Sequence, residues 1–245
     1  MIALLRRLYH RLPQPPSTNF QLHNSQADFW PLFVSGAVVY DIGSKGQAET
    51  AVELIPPGVR LLSIDIDAAT KPDIVADAHD LHMIPTDSAD GVFTSSVLEH
   101  VRDPWQVVCE IERILKPGGL AFIGLPFIFP FHADPDDFWR TSYKGIDLLC
   151  QRFDKVCSGF DRGPASCMTH LVVHFLALLF SFNSKALYGI QVDLFKWLLF
   201  WIKYADWWLM KHPQAHVIHA AVFFVGRKHV QRSLSSIGSG DNKGD

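Results

Sequence analysis

The chain has 245 residues, 48% of them hydrophobic and 19% charged, and a formal net charge of -3. That length supports one α/β domain with a sizeable core, alone or carrying an insertion, and the charge excludes recruitment of nucleic acid by a global basic field. Four cysteines (Cys109, Cys150, Cys157 and Cys167) show no C-x-x-C pairing, which argues against a zinc or disulfide scaffold; they read as reduced thiols, and no metal ligand set is expected.

Residues 1–12 are basic and apolar but lack the long apolar core and small-residue cleavage site of a signal peptide. As a helix they place Leu4, Leu5, Leu8 and Leu12 on one face and Arg6, Arg7 and Arg11 largely elsewhere. That pattern fits either a membrane-surface helix or a terminal helix packed on its own domain. Pro13 to Asn19, with three prolines, reads as a linker, which makes 1–28 a helix and linker ahead of a domain that begins near Phe29.

Ala37 to Ile42 is the first predicted strand, and its apolar run ends in Asp41 and a loop containing Gly43 and Gly46. Glycines there let the backbone turn sharply and approach a ligand. Gln47 to Leu54 reads as a helix stopped by Pro56-Pro57-Gly58, and Arg60 to Ile66 as a buried second strand. Asp73 to Ala76 and Gly91 to Ser95 give the third and fourth. Pro104 to Leu115 has the apolar spacing of an amphipathic helix (Val107, Val108, Ile111, Ile114), ended by the turn Lys116-Pro117-Gly118-Gly119. Leu120 to Leu125 is the fifth strand and Tyr143 to Arg152 a short helix. Alternating strands and helices with short connections imply a parallel sheet with helices on both faces, so the fold class is α/β.

Phe153 to Gly159 and Ala220 to Arg227 read as the last two strands, separated by far more chain than a connection needs. The interval, about 165–212, is a helical, aromatic insertion. Its charges (Asp193, Lys196, Lys203, Asp206) oppose a bilayer-spanning role. It reads as a lid over an active site or as helices lying on a membrane with Trp197, Trp201, Trp207 and Trp208 near the headgroups. Residues 231–245 read as a disordered tail.

An acid at the end of strand one and a second, Asp65, at the end of strand two place a nucleotide-type ligand at the carboxyl edge of the sheet. A carboxylate can accept hydrogen bonds from both ribose hydroxyls. The loop is not G-x-G-x-x-G, and Asp41 would repel a pyrophosphate; an amine or sulfonium suits it better.

The ordered set Asp41-Ile42-Gly43, Ser63-Ile64-Asp65-Ile66, Ala76-Asp77-Ala78, Val97-Leu98-Glu99-His100-Val101-Arg102-Asp103-Pro104 and Lys116-Pro117-Gly118-Gly119 resembles the class I S-adenosylmethionine-dependent methyltransferases of the type 11 group. The resemblance implies a Rossmann-like, doubly wound, mostly parallel seven-stranded sheet with an antiparallel last strand and the helical insertion before it, within a methyltransferase domain at 29–230. It implies S-adenosyl-L-methionine as cofactor: Asp41, Gly43, Ser44 and Gly46 along its methionine part, Asp65 and Ile66 at the ribose, Asp77 and Ala78 at the adenine, and Ser95 with Ser96 bordering the methyl group. Lys45 and Gln47 stand where the family's loop usually has glycine.

The acceptor should lie after the fifth strand, where residues 126–141 gather a histidine, acids and an arginine among aromatics and prolines. This segment resembles one found in methyltransferases of bacterial polysaccharide and envelope biosynthesis. His132 is expected as general base, Asp137 as its orienting partner or a hold on the acceptor, and Arg140 as a clamp for an anionic substrate. The alternative is that Asp137 and Arg140 form a loop-stabilising ion pair and His132 only bonds the backbone. Glu99 and His100 read as helix-capping surface residues or as participants in the chemistry.

Together these readings imply O-methylation of a glycan or lipid-linked acceptor, by a cytoplasmic enzyme with peripheral contact at the inner membrane and no nucleic-acid partner. Alternatives are a small-molecule (quinone or secondary-metabolite) methyltransferase and a catalytically silent, methyltransferase-like binding module. The oligomeric state stays open.

Overall fold

The computed structural model describes residues 13–19, 25–43, 51–133 and 135–230. The expected helix at 1–12, the loop residues Ser44 and Gly46, most of the helix expected from Gln47 to Leu54, and the tail at 231–245 lie outside the described residues.

Strand β1 (Val38–Ile42) buries four consecutive residues after a half-buried first one, as a strand does when it has neighbours on both edges and cover on both faces. Strands β2 (Arg60–Asp65) and β4 (Ala89–Ser95) flank it in parallel, with Asp41 level with Ser63 on one side and Phe93 on the other. Strand β3 (Ile74–Val75) extends the sheet beyond β2, and β5 (Leu115–Pro126) lies beside β4, all in parallel. With β6 (Phe153–Asp161) and β7 (Ala221–Lys228) the sheet has seven strands in the order β3-β2-β1-β4-β5-β7-β6, and β7 runs antiparallel to both its neighbours. The chain winds outward from β1 and then returns to β4 at its other edge, so a crevice opens at the carboxyl ends of β1 and β4.

Helix α1 (Pro104–Ile114) begins where the Asp103 carboxylate accepts the N–H groups of Trp105 and Gln106 at 3.0 and 3.1 Å, with Pro104 in the first turn. The expected glycine turn after it takes another form. The chain passes straight into β5, pairing Leu115 with Ala89 and then Leu120 with Gly91, and residues 116–119 bulge between the two; Gly118 adopts φ +81° there.

One face of the sheet packs Ile42, Ile64, Val92 and Ile123 with α1 and helix α2 (Tyr143–Leu149). Among the described residues, the other face is covered by two single-turn 3-10 helices, Ser25–Asp28 and Trp30–Leu32, rather than by a long helix. Phe29, Trp30 and Phe33 pack there on Phe93, Phe122 and Phe223. Trp30 stacks on Phe93 at 5.5 Å and Phe93 on Phe122 at 4.8 Å.

The insertion between β6 and β7 is a helical hairpin, α3 (Pro164–Phe180) and α4 (Lys185–Leu199), followed by a 3-10 segment at Phe200–Ala205 and the short helix α5 (Asp206–Leu209). Its small core is Val173, Ala177 and Val192. Phe175, Leu178, Leu179, Trp201, Trp207 and Trp208 remain largely exposed. Among the described residues no helix is long and apolar enough to cross a membrane. The proline-rich stretch read as a linker packs on this insertion: Thr18 is buried with its Oγ1 3.1 Å from His170 Nδ1, and Lys203 Nζ donates to the Ser17 carbonyl at 2.6 Å.

Candidate active site

At the end of β1 the chain turns through Gly43, whose N–H donates to the Ile64 carbonyl at 2.7 Å. Gly43 has φ +72°, and a Cβ there would lie 2.3 Å from Val97 Cγ2. Both conformation and space therefore demand glycine. The turn opens one end of a cleft of about 250 Å³ whose walls include Gly43, Asp65, Ile66, Asp77, Ala78 and Ser96. Six residues expected at the cofactor thus converge from four separate strand ends.

Two others sit differently. Asp41 is buried within β1 behind the turn, outside the cleft wall. Ser95 is the last residue of β4, paired with Gly124 of β5, and it is Ser96, in a left-handed conformation at φ +57°, that reaches the cleft. The left-handed turn at Ser96 separates these neighbours, which the sequence reading took together.

Hydrogen bonds hold the acidic rim. Asp65 Oδ1 accepts the Asp67 N–H at 2.9 Å. Asp73 accepts from the Ser63 N–H and hydroxyl at 2.8 and 2.7 Å, which lowers its pKa and ties the β3 end to β2. Asp77 is partly desolvated, yet the His79 N–H and ring keep its carboxyl below the usual range.

The segment after β5 closes the other side of the cleft with Pro135, Asp136 and Phe138. Asp137 is almost wholly buried there and engages both terminal nitrogens of Arg140 while accepting the His132 N–H at 2.8 Å. Arg140 drives the Asp137 carboxyl down to about 2. The same guanidinium also donates to the carbonyls of Phe129, Pro130 and Trp139 at 3.2, 3.0 and 2.8 Å. An arginine engaged by a bidentate carboxylate and three carbonyls braces the loop. The ion pair of the second reading is thus present, and it engages the guanidinium that the first reading assigned to an anionic substrate.

His132 Nδ1 lies 3.1 Å from the Pro130 carbonyl, to which it donates, so Nε2 carries the lone pair of the neutral ring. The carboxylate facing that nitrogen is Glu99, 3.7 Å away, while Asp137 approaches Nδ1 at 3.4 Å. Glu99 raises the His132 pKa, opposed by burial and aided by Asp137. His100 Nε2 lies 3.8 Å from the same Glu99 oxygen, and its Nδ1 bonds the Asp136 carbonyl at 2.5 Å. Glu99 is fully buried, with its backbone carbonyl accepting the N–H of Phe138 at 2.7 Å. The sequence reading left Glu99 between cap and chemistry. Its adjacency to His100 was the available signal, and its meeting with His132 had no local signal at all.

Comparison with known proteins agrees with this geometry. Residues 35–123 match the family described as Methyltransferase domain. An uncharacterized methyltransferase of Mycolicibacterium paratuberculosis is 33% identical over 131 residues, 49% of this chain and 50% of its own. A ubiquinone biosynthesis O-methyltransferase of Xanthomonas oryzae is 31% identical over 105 residues, 38% of this chain and 44% of its own. The chain thus spans half or less of the length of these curated relatives. Among solved structures, coclaurine N-methyltransferase bound to N-methylheliamine and SAH superposes with a TM-score of 0.54 at 12% identity, covering 93% of this chain and 86% of that one. Phosphoethanolamine N-methyltransferase 2 of Haemonchus contortus, bound to phosphomonomethylethanolamine and S-adenosylhomocysteine, gives 0.51 at 16%, covering 82% and 50%. The [4+2]-cyclase SpnF gives 0.52 at 15%, covering 93% and 92%. These likenesses show the Rossmann-like methyltransferase fold.

Proposed function

We propose that the protein is an S-adenosyl-L-methionine-dependent methyltransferase acting on a hydroxyl of a glycan or lipid-linked acceptor at the cytoplasmic face of the inner membrane. The observation that carries this reading is the cleft, with the buried Asp65 at one end and the His132 loop across the other.

The cleft residues fit the cofactor on their own chemistry. Asp65, acceptor-only, suits paired ribose hydroxyls; the apolar walls at Ile42, Ile66 and Val97 suit an adenine ring; and the Gly43 turn admits a ligand where any Cβ would meet Val97. Bound there, S-adenosyl-L-methionine supplies an electrophilic methyl group on a sulfonium. The protein then has to hold the acceptor oxygen in line and take its proton. In this reading His132 Nε2, which the Glu99 carboxylate faces at 3.7 Å, takes that proton, and Asp137 and Arg140 hold the loop that carries His132.

The exposed Trp201, Trp207 and Trp208 of the insertion support contact with a lipid surface. A small-molecule acceptor is the second reading, favoured by the 31% identity to a ubiquinone biosynthesis O-methyltransferase. Two measurements separate these readings from a silent module. Calorimetry with S-adenosyl-L-methionine should give heat that Asp65→Ala abolishes; no heat from the wild type means the binding module. Methyl-labelled cofactor should then mark the lipid-linked saccharide fraction of an envelope extract, whereas label confined to the quinone fraction means the small-molecule reading.

A further inference from the structure

We infer that Glu99, His100 and His132 form a binding site for one divalent transition-metal cation beside the cofactor cleft. The three side chains come from two segments, the turn after β4 and the loop after β5, and one donor atom from each lies within 4.8 Å of the others.

Three features of the site call for a cation. First, the Glu99 carboxylate is wholly buried and neither of its oxygens has a hydrogen-bond partner. A buried carboxylate without compensation is strongly destabilising. Second, the two imidazoles turn the same way: His100 Nδ1 bonds the Asp136 carbonyl and His132 Nδ1 the Pro130 carbonyl. A neutral imidazole that donates at Nδ1 has its lone pair at Nε2, so both lone pairs face the carboxylate. Three electron-rich atoms then meet around one point, which is how a metal-binding histidine is held by its outer hydrogen bond. Third, the Nε2 atoms stand 3.7 and 3.8 Å from Glu99 Oε1. That is too wide for a shared proton at about 2.8 Å. It lies inside the roughly 4.2 Å that two ligands bonded at about 2.1 Å to one ion can span.

Two imidazoles and one carboxylate select a first-row transition ion such as zinc, cobalt, nickel or ferrous iron over magnesium or calcium, which prefer all-oxygen shells. Three protein ligands leave positions open. His132 is partly exposed and His100 lines the cofactor cleft, so the open positions border the place proposed for the acceptor. An acceptor hydroxyl bound there would lose its proton to water more readily; His132 is then the base of the metal-free protein and a ligand in the loaded one. The role in catalysis rests on the proposed methyltransferase reading; the binding of the ion does not.

The test uses the full-length protein, stripped with chelator and titrated with zinc or cobalt. The expected result is about one equivalent bound, with visible cobalt absorption, and no binding of magnesium at the same concentration. Glu99→Gln and His132→Gln should each weaken binding at least about 100-fold, and His82→Ala, on an exposed histidine elsewhere, should leave it unchanged. His132→Gln, on the more exposed side, gives the comparison if Glu99→Gln does not fold. Binding below about a tenth of an equivalent, or binding equal in all variants, overturns the site. Calorimetry with S-adenosyl-L-methionine on the stripped protein is the separate readout: heat without metal binding refutes the metal site alone, and metal binding without heat refutes the methyltransferase reading alone.

Discussion

The carboxylate of Asp206 accepts the backbone N–H of Ala165 at 2.7 Å, and its second oxygen that of Ser166 at 2.9 Å, so the last helix of the insertion caps the first. Asp206 is fully buried, and Gly163 next to it leaves no room for a side chain, since a Cβ would lie 2.6 Å from Asp206 Oδ1. Asp206→Ala removes a charged cap and should destabilise the protein by about 2 kcal/mol, lowering Tm by roughly 4–8 °C. Cofactor affinity should stay within about twofold of wild type, because among the described residues none of the insertion lines the cleft. Thermal melts and calorimetry check both parts, and an unchanged Tm would remove the cap from the account of the insertion.

Gly43→Ala forces a Cβ into the Val97 side chain at a positive φ. The cost should be about 2–4 kcal/mol of stability together with loss of cofactor affinity of at least about tenfold. Val97→Ala in the same chain should recover the part due to overlap and leave the part due to conformation. Wild-type affinity in Gly43→Ala alone would show that the turn does not shape the cleft.

Arg140→Met leaves the buried Asp137 carboxylate without its guanidinium. A loss of about 2 kcal/mol is expected, after discounting for the partial exposure of Arg140. Adding Asp137→Leu should cost less than the sum of the single changes. Should Arg140→Met instead melt like wild type while losing methyl transfer to an anionic acceptor, the anion clamp of the sequence reading would be restored.

Burial, aided by the positive charges of His174, Lys196, Arg162 and His132, pushes the His170 imidazole down to about 4, against about 6.5 in an unfolded chain. Between those values the unfolded chain binds more protons. The stability that depends on neutral His170 is therefore complete above about pH 6.5 and is lost as pH falls toward 4. Allowing for partial exposure, the loss near pH 5 should be about 1 kcal/mol, or roughly 2–4 °C in Tm. His170→Gln retains a partner for Thr18 without titrating, so its melts at about pH 7.5 and about pH 5 should differ by that much less than the wild type's. Equal differences would assign the acid sensitivity to other groups.

The exposed tryptophans make the membrane reading measurable. Full-length protein should float with vesicles containing anionic lipid, and Trp201→Ser with Trp208→Ser should reduce the floated fraction at least about threefold. Deleting residues 1–12 tests the terminal basic helix in the same assay. A wild type that stays at the bottom of the gradient sinks the proposal of membrane contact.

The sequence was most legible where neighbouring residues carry the information. The β-branched run before Asp41, the spacing Val107-Val108-Ile111-Ile114 and Pro104 in the first turn each set local structure, and these elements lie within a few residues of their expected bounds. The glycine run at 116–119 was harder to read, because the same residues make a turn or a bulge according to whether a strand lies alongside. The cover on the second sheet face was also hidden: Phe29, Trp30 and Phe33 span too short a stretch to be read as a helix, and it is the sheet's own aromatic face that explains them.

By itself the sequence determined the α/β class, the sheet's strands and the acids at the ends of β1 and β2, since pattern and turn chemistry act over short stretches. Tertiary structure alone decided which carboxylate faces His132. Glu99 faces its Nε2 and Asp137 its Nδ1, because packing of the turn after β4 against the loop after β5 buries Glu99 between two imidazoles while Arg140 holds Asp137. It also decided that Ser17 and Thr18 belong to the folded body, through contacts with Lys203 and His170 that lie 186 and 152 residues away. Such contacts depend on how whole elements pack, and no local pattern encodes them.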